Sequence, residues 1–300
     1  MSLTDTLSDV GFGIGWGAVR HLPEPVVDRG FRAIADRTYR KEGPGVHQLR
    51  SNLARVLDAE SRGALEDVTR DNLRLYMRYW SEVFRLPAWD GARMRESFNL
   101  RSGVDLLDEA VNSGRGAIMV ASHSGNWDLA GAWACDRYGG ITTVAEQLRP
   151  QALFDKFVAY RQSLGMEVLP LGSSDTLRTL VRRLREGRLV CLVADRDISG
   201  TGVPVDFFGD TASIPAGPAT MSLMTGAPIM PVRLWHTADG LQARVDPALP
   251  IPTTGDRPER VLELTQTMAD ALADSIREHP ADWHMLQRLW LSDPPTRVAS

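Results

Sequence analysis

From Gly103 onward the chain alternates short apolar runs with segments of helical periodicity, and no other feature constrains its fold as tightly. Runs at 117–121, 141–145, 166–169, 189–194 and 228–235 read as strands, with 241–245 as a neighbour of the last. They are too short for buried helices, and the run Ala117–Ala121 is apolar throughout, as a buried strand covered on both faces must be. Between them, 104–112, 126–138, 151–164, 175–186, 215–225 and 257–277 read as helices, several ended by glycine: Gly139-Gly140, Gly165, Gly187 and Gly226. Such alternation predicts an α/β fold whose central sheet is mostly parallel or mixed and flanked by helices. Residues 1–100 read instead as helical. Over 45–57 and 64–86 the apolar positions recur every three or four residues, and Leu73, Tyr76, Met77, Trp80 and Phe84 form a stripe expected to pack on the body of the protein. No linker or repeat divides the 300 residues, so a single domain is expected, with a helical N-terminal part (1–100) and an α/β core (101–300).

Charge and composition exclude several classes. The formal net charge is −4, which leaves no basic footprint for a nucleic-acid partner. Lys41 and Lys156 are the only lysines among 34 basic residues. Arginine can grip phosphate or carboxylate with two parallel hydrogen bonds, although a coding bias is the plainer source of the total. Cys135 and Cys191 lie in apolar surroundings and are expected as buried free thiols, with neither disulfide nor metal site. No stretch approaches the ~20 apolar residues that span a bilayer, and the N-terminus lacks the marks of a signal peptide. The chain is therefore expected to stay cytoplasmic. The Gly-rich segment 10–19, with Trp16 and the following Arg20, reads equally as a membrane-interface helix or a core-packing one.

Chemistry concentrates at His123-Ser124-Gly125-Asn126-Trp127-Asp128, which follows the strand 117–121 and opens a helix. Ligands of open α/β sheets bind at the carboxyl ends of strands. Asp128 lies five positions beyond His123, and a turn made permissive by Gly125 is expected to bring its carboxylate back to the imidazole. A carboxylate on one ring nitrogen fixes the tautomer and leaves the other nitrogen to take a proton. The alternative is a histidine at a helix N-terminus with Asp128 favoured there by the helix dipole.

This His-x-x-x-x-Asp segment resembles the motif of the lysophospholipid acyltransferase superfamily. The form His-Ser-Gly-Asn-Trp-Asp is similar to the branch of bacterial lipid A late acyltransferases and actinobacterial phosphatidylinositol mannoside acyltransferases. Further matching blocks lie at 72–87, 143–150, 160–165, 194–197, 205–209, 215–219 and 280–287 (Pro-Ala-Asp-Trp-His-Met-Leu-Gln), so the likeness covers nearly the whole chain and leans toward the mannoside branch.

The resemblance implies transfer of a fatty acyl group, usually palmitoyl, from acyl-coenzyme A to the 6-hydroxyl of a mannose in a phosphatidylinositol mannoside. His123 would be the general base and Asp128 its orienting partner. Coenzyme A enters as substrate; no cofactor or metal is expected. Glu146, Arg161, Asp195 and Asp197 are the substrate-binding candidates carried by the matching blocks. The family usually has Glu where Asp195 stands, with Asp197 as a substitute. The plainer readings are a loop ion pair of Glu146 with Arg149, an exposed Arg161 paired with Asp155 or Glu167, and a solvated turn at Asp195 and Asp197. His284 is expected to cap or pack, and His21, His47, His236 and His279 to lie on the surface or in loops. The expected partners are an acyl-coenzyme A donor, a membrane glycolipid acceptor and an anionic membrane surface. The expected location is peripheral, on the cytoplasmic face of the plasma (inner) membrane, docked through 11–20 and the arginine-bearing helix 72–85. The alternatives are a lipid A precursor as acceptor, or a non-catalytic lipid-binding protein.

Overall fold

A computed structural model describes residues 19–147, 151–173 and 175–293. The proposed interface segment 10–19 lies, but for Val19, outside the described residues, as does Arg149. The helical N-terminal part comprises α1 (Glu24–Lys41), α2 (Pro44–Val56), α3 (Leu65–Arg85) and the short α4 (Gly91–Ser97). Next come β1 (Phe98–Ser102), α5 (Val104–Asn112), β2 (Ala117–Ala121), α6 (Trp127–Tyr138), β3 (Ile141–Ala145), α7 (Gln151–Ser163), β4 (Met166–Pro170), α8 (Thr176–Arg185) and β5 (Leu189–Val193). A hairpin of β6 (Val203–Phe207) and β7 (Asp210–Ile214) precedes α9 (Gly217–Thr225), β8 (Ile229–Thr237), β9 (Gly240–Val245) and α10 (Arg257–Glu278).

Seven strands form the central sheet in the order β1-β9-β8-β2-β5-β3-β4. Only the β8–β9 pairing is antiparallel, so β1 and β9 run against the other five. The sheet is thus mostly parallel, mixed at one edge, and flanked by helices, as the alternation predicts. Strand alternation sorts the core. Ile118 and Val120 of β2 point to the side packed by Leu264, Met268, Leu272 and Ile276 of α10, while Ala117 and Met119 join Leu107 of α5 and Cys135 of α6 on the other. Each fully buried Leu or Ile there stabilises the fold by about 1.5–3 kcal/mol. A capping box, in which Asp256 and Glu259 each take the other's backbone N–H, starts α10.

Two elements depart from the sequence reading. β1 falls inside the region expected to be helical; pairing with β9 draws Phe98–Ser102 into the sheet. The β6–β7 hairpin also escapes prediction, because its turn is Phe208-Gly209, with φ 59° and 78°. A phenylalanine rarely takes positive φ. Here its ring is held by Trp283, with centroids 6.2 Å apart, and by Arg277, 4.8 Å above the ring.

Candidate active site

The strands β2, β3 and β5 are parallel, so His123, Glu146 and Asp195, which follow them in turn, share one edge of the sheet. β2 and β5 are neighbours in register from Ala117↔Leu189 to Ala121↔Val193. That adjacency, invisible in sequence, puts Asp195 beside His123. His123 Nδ1 lies 2.5 Å from Asp195 Oδ1, and the His123 backbone N–H donates to Asp195 Oδ2 at 2.9 Å. Trp283 Nε1 donates to the same Oδ2 at 2.8 Å. Asp195 is completely buried. Burial alone would raise its pKa, but His123 and the Trp283 indole outweigh that and hold it below the usual carboxylate value. An ionised Asp195 only accepts, so Nδ1 of His123 carries the hydrogen and Nε2 is left to accept a proton.

The expected His123–Asp128 pairing is therefore corrected. Gly125 does make the predicted turn, at φ 59°, where a side chain would press on Leu234 and Leu241. The turn delivers Asp128 inward rather than back to the imidazole. Asp128 accepts from Arg161 Nε at 2.7 Å, from Arg161 Nη2 at 3.3 Å and from the Tyr79 hydroxyl at 2.9 Å. Arg161 thus pairs with Asp128, not with Asp155 or Glu167. The Asp128 carboxylate more than offsets the burial of the guanidinium, whose pKa is raised. Burial, reinforced by the same carboxylate, pushes the Tyr79 hydroxyl well up.

Glu146 is exposed just beyond β3 and makes no hydrogen bond or ion pair with the described residues. Asp197 does not reach His123. Its carboxylate is consumed in closing its own loop, accepting from the backbone N–H groups of Ser199, Gly200 and Gly202 and from the hydroxyls of Ser199 and Ser213. It is a loop tie rather than a stand-in for Asp195.

Between α6 and the sheet lies an apolar cavity with about 850 Å³ of unfilled space, part of it open to solvent. Its walls include Phe98, Met119, Gly131, Trp133, Cys191 and Val232, and Trp127, Asp128 and Arg161 also line it. Cys135 is buried and Cys191 partly so; Cys191 opens onto this cavity. The His123 ring stands edge-on to Trp127 with centroids 5.5 Å apart, so the imidazole is one ring removed from the cavity wall. The arrangement can bind a long apolar chain and move a proton beside it.

Sequence reasoning missed Trp283, the third donor on Asp195, and the role of the segment that carries it. Residues 280–285 strap the motif loop: Ser124 bridges Trp283, His284 N–H donates to His123 O at 2.7 Å, and Gly125 N–H donates to Asp282 O at 3.1 Å. His236 was also misjudged. It is buried in β8 between two carboxylates, with Nδ1 2.9 Å from Asp282 and Nε2 3.3 Å from Glu82. Its apolar strand context was the available signal.

The chain is an acyltransferase by family: it belongs to the bacterial lipid A biosynthesis acyltransferases, whose model matches residues 8–292. It is similar to a phosphatidylinositol mannoside acyltransferase of Mycolicibacterium smegmatis (strain ATCC 700084 / mc(2)155), 45% identical over 96% of this chain and 92% of that protein. The proteins of the same name from Mycobacterium tuberculosis strains CDC 1551 / Oshkosh and ATCC 25618 / H37Rv are each 45% identical over 97% of this chain and 91% of theirs. Among solved structures, a rotor chain of the Euglena gracilis mitochondrial ATP synthase matches at 13% identity with a TM-score of 0.20, covering 80% of this chain and 87% of that one, a likeness that carries no argument.

Proposed function

We propose that this acyltransferase moves a palmitoyl group from acyl-coenzyme A to the 6-hydroxyl of a mannose in a phosphatidylinositol mannoside, with His123 as general base. The observation that carries the reading is the His123–Asp195 pair beside an apolar cavity. The similar mycobacterial proteins, by their names, support the acceptor. An alcohol is too weak an acid to attack a thioester unaided. Nε2 takes the hydroxyl proton as the oxygen bonds to the thioester carbonyl carbon, and Asp195 stabilises the imidazolium that forms. Collapse of the tetrahedral intermediate breaks the carbon–sulfur bond, and the departing thiolate takes the proton back from His123. The acyl chain lies in the cavity, whose Asp128–Arg161 pair is a fixed polar element of the wall. In this reading Glu146, exposed at the same sheet edge, receives sugar hydroxyls. No resident cofactor or metal enters this sequence.

The acceptor carries lipid tails, so the site must work at a bilayer, on the cytoplasmic face of the plasma membrane in this reading. No helix among the described residues is long and apolar enough to cross a membrane. In this reading docking is peripheral and falls to α1 rather than to 72–85. In α3, Arg74, Arg78 and Arg85 pair with Asp36, Glu82 and Glu24, which leaves little charge to offer. On α1, Val26 and Ile34 are exposed, as is Leu22 just before it, among exposed Arg29, Arg32, Arg37, Arg40 and Lys41.

The test is to incubate purified protein with radiolabelled palmitoyl-coenzyme A and either a phosphatidylinositol mannoside or a lipid A precursor. Label is expected on the mannoside; label only on the precursor, or on neither, overturns the acceptor. His123→Ala should cost ~10²–10⁴-fold in transfer per folded molecule, and full transfer by that variant removes His123 from the mechanism.

A further inference from the structure

Both ring nitrogens of His236 face carboxylates, so both must carry hydrogen, and the ring is a buried cation. Its side chain has no exposure, and those of Glu82 and Asp282 have 14% and 6%. The backbone N–H of His236 also donates to Asp282 Oδ1 at 2.9 Å. Glu82 is shared: Asn126 Nδ2 donates to its Oε2 at 2.8 Å, and Arg78 Nε to its Oε1 at 2.8 Å. Asn126 is the N-cap of α6, taking the Leu129 N–H on its side-chain oxygen. Asp282 belongs to the 280–285 strap that holds Ser124, Gly125 and the His123 carbonyl. The next strap residue, Trp283, supplies the indole hydrogen bond to Asp195. His236 is thus the junction of two arms. One runs through Glu82 to the end of the motif loop; the other runs through Asp282 to the strap and on to Asp195.

We propose that His236 is a positioning residue for acyl transfer, locking the motif loop and the 280–285 strap into the one arrangement in which His123 meets Asp195. The proposal rests on His123 being the base. His236, Glu82 and Asp282 do not line the apolar cavity proposed for the acyl chain, so changes at these residues are expected to spare donor binding. Burial disfavours the His236 cation, but the two carboxylates prevail and raise its pKa to about 9. Glu82 is correspondingly held at about 2 against burial.

The test compares kcat and KM for palmitoyl-coenzyme A in wild type, His236→Gln and Glu82→Gln, each per folded molecule and well below its melting temperature. Small misplacements of reacting groups can cost as much as ~10²-fold, so kcat is expected to fall about ten- to a hundred-fold. KM for the donor should stay within about threefold, because an orienting role spares ground-state binding. Removing His236 strands two carboxylates and threatens folding; should His236→Gln fail to fold, Glu82→Gln, which keeps the side-chain shape, decides alone. A folded variant whose kcat lies within about twofold of wild type overturns the proposal, as does a loss that only tracks the unfolded fraction. His123→Ala is the control for the parent reading. Activity surviving that change sinks the base itself, whereas a dead His123→Ala beside fully active His236 and Glu82 variants sinks only the positioning role.

Discussion

Asp128 and Asp195 divide the work that sequence spacing assigned to one carboxylate. Asp195 is buried against His123, and Asp128 is buried against Arg161 and Tyr79. The division predicts different phenotypes. Asp128→Ala leaves the Arg161 guanidinium, 18% exposed, without its partner. Breaking such a buried pair costs about 3–5 kcal/mol, so urea unfolding should report a loss of that order; a loss under ~1 kcal/mol, the range of exposed pairs, would refute the structural role. His236 gives a pH signature. Unfolded, a histidine releases its proton near pH ~6.5; in the fold His236 holds it to about 9. The raised value means its contribution is complete below ~6.5 and is lost as pH rises through 9, since the folded state binds more protons in that window. The groups facing it are Glu82, Asp282, Arg78 by way of Glu82, and His284, which burial and the neighbouring His236 and His123 hold well below the usual histidine range. Melting temperature should therefore decline between pH ~6.5 and ~9. A curve flat across that window in the wild type contradicts a buried cation at this position.

At the scale of elements, the helical N-terminal part does two jobs that its periodicity does not separate. α3 faces inward: Tyr79 reaches Asp128, Glu82 reaches Asn126 and His236, and Asn72 Nδ2 donates to Trp283 O at 2.6 Å. The aromatic stripe expected to pack on the body does so, with Tyr76 against His284 and Trp80 against Phe157. α1 faces outward with its exposed apolar and basic residues. Each basic residue near an anionic bilayer contributes about 1 kcal/mol, screened by salt. In a flotation assay, Val26→Asp/Ile34→Asp should bind anionic liposomes more weakly than wild type, and wild-type binding should fall as salt is added. Equal flotation by both proteins at every salt concentration would exclude α1 as the docking element.

The cavity belongs to the whole molecule, since its wall draws on all seven strands of the central sheet and on α5, α6 and α7. Gly131 of α6 is the position where added volume matters most. A Cβ there would come 2.6 Å from Met166 Cε and 3.3 Å from Ile141 Cδ1, both of which line the cavity. Gly131→Val should therefore shorten or narrow the space for an acyl chain at an overpacking cost of about 1–3 kcal/mol. The expected readout is a rise of about tenfold in the ratio of lauroyl- to palmitoyl-coenzyme A turnover, of the order that one or two misfitting methylenes impose. An unchanged ratio in a folded variant would mean that the acyl chain does not pass Gly131.

Periodicity and glycine punctuation act within a few residues, so most elements of the α/β core were legible along the chain, β1 and the β6–β7 hairpin excepted. β2 at Ala117–Ala121, β3 at Ile141–Ala145 and α5 at Val104–Asn112 fall where the pattern puts them. The catalytic histidine candidate was legible for the same reason: a polar motif at the end of a buried strand. What the pattern could not carry was strand order. β5 enters the sheet between β2 and β3, and only that insertion brings Asp195, 72 residues distant, against His123. Nor could it show the strap, whose Trp283 and Asp282 reach the site from the far end of the chain, or the burial of His236. Those are long-range contacts, fixed by how layers pack rather than by any local spacing, and they decide which carboxylate holds the base.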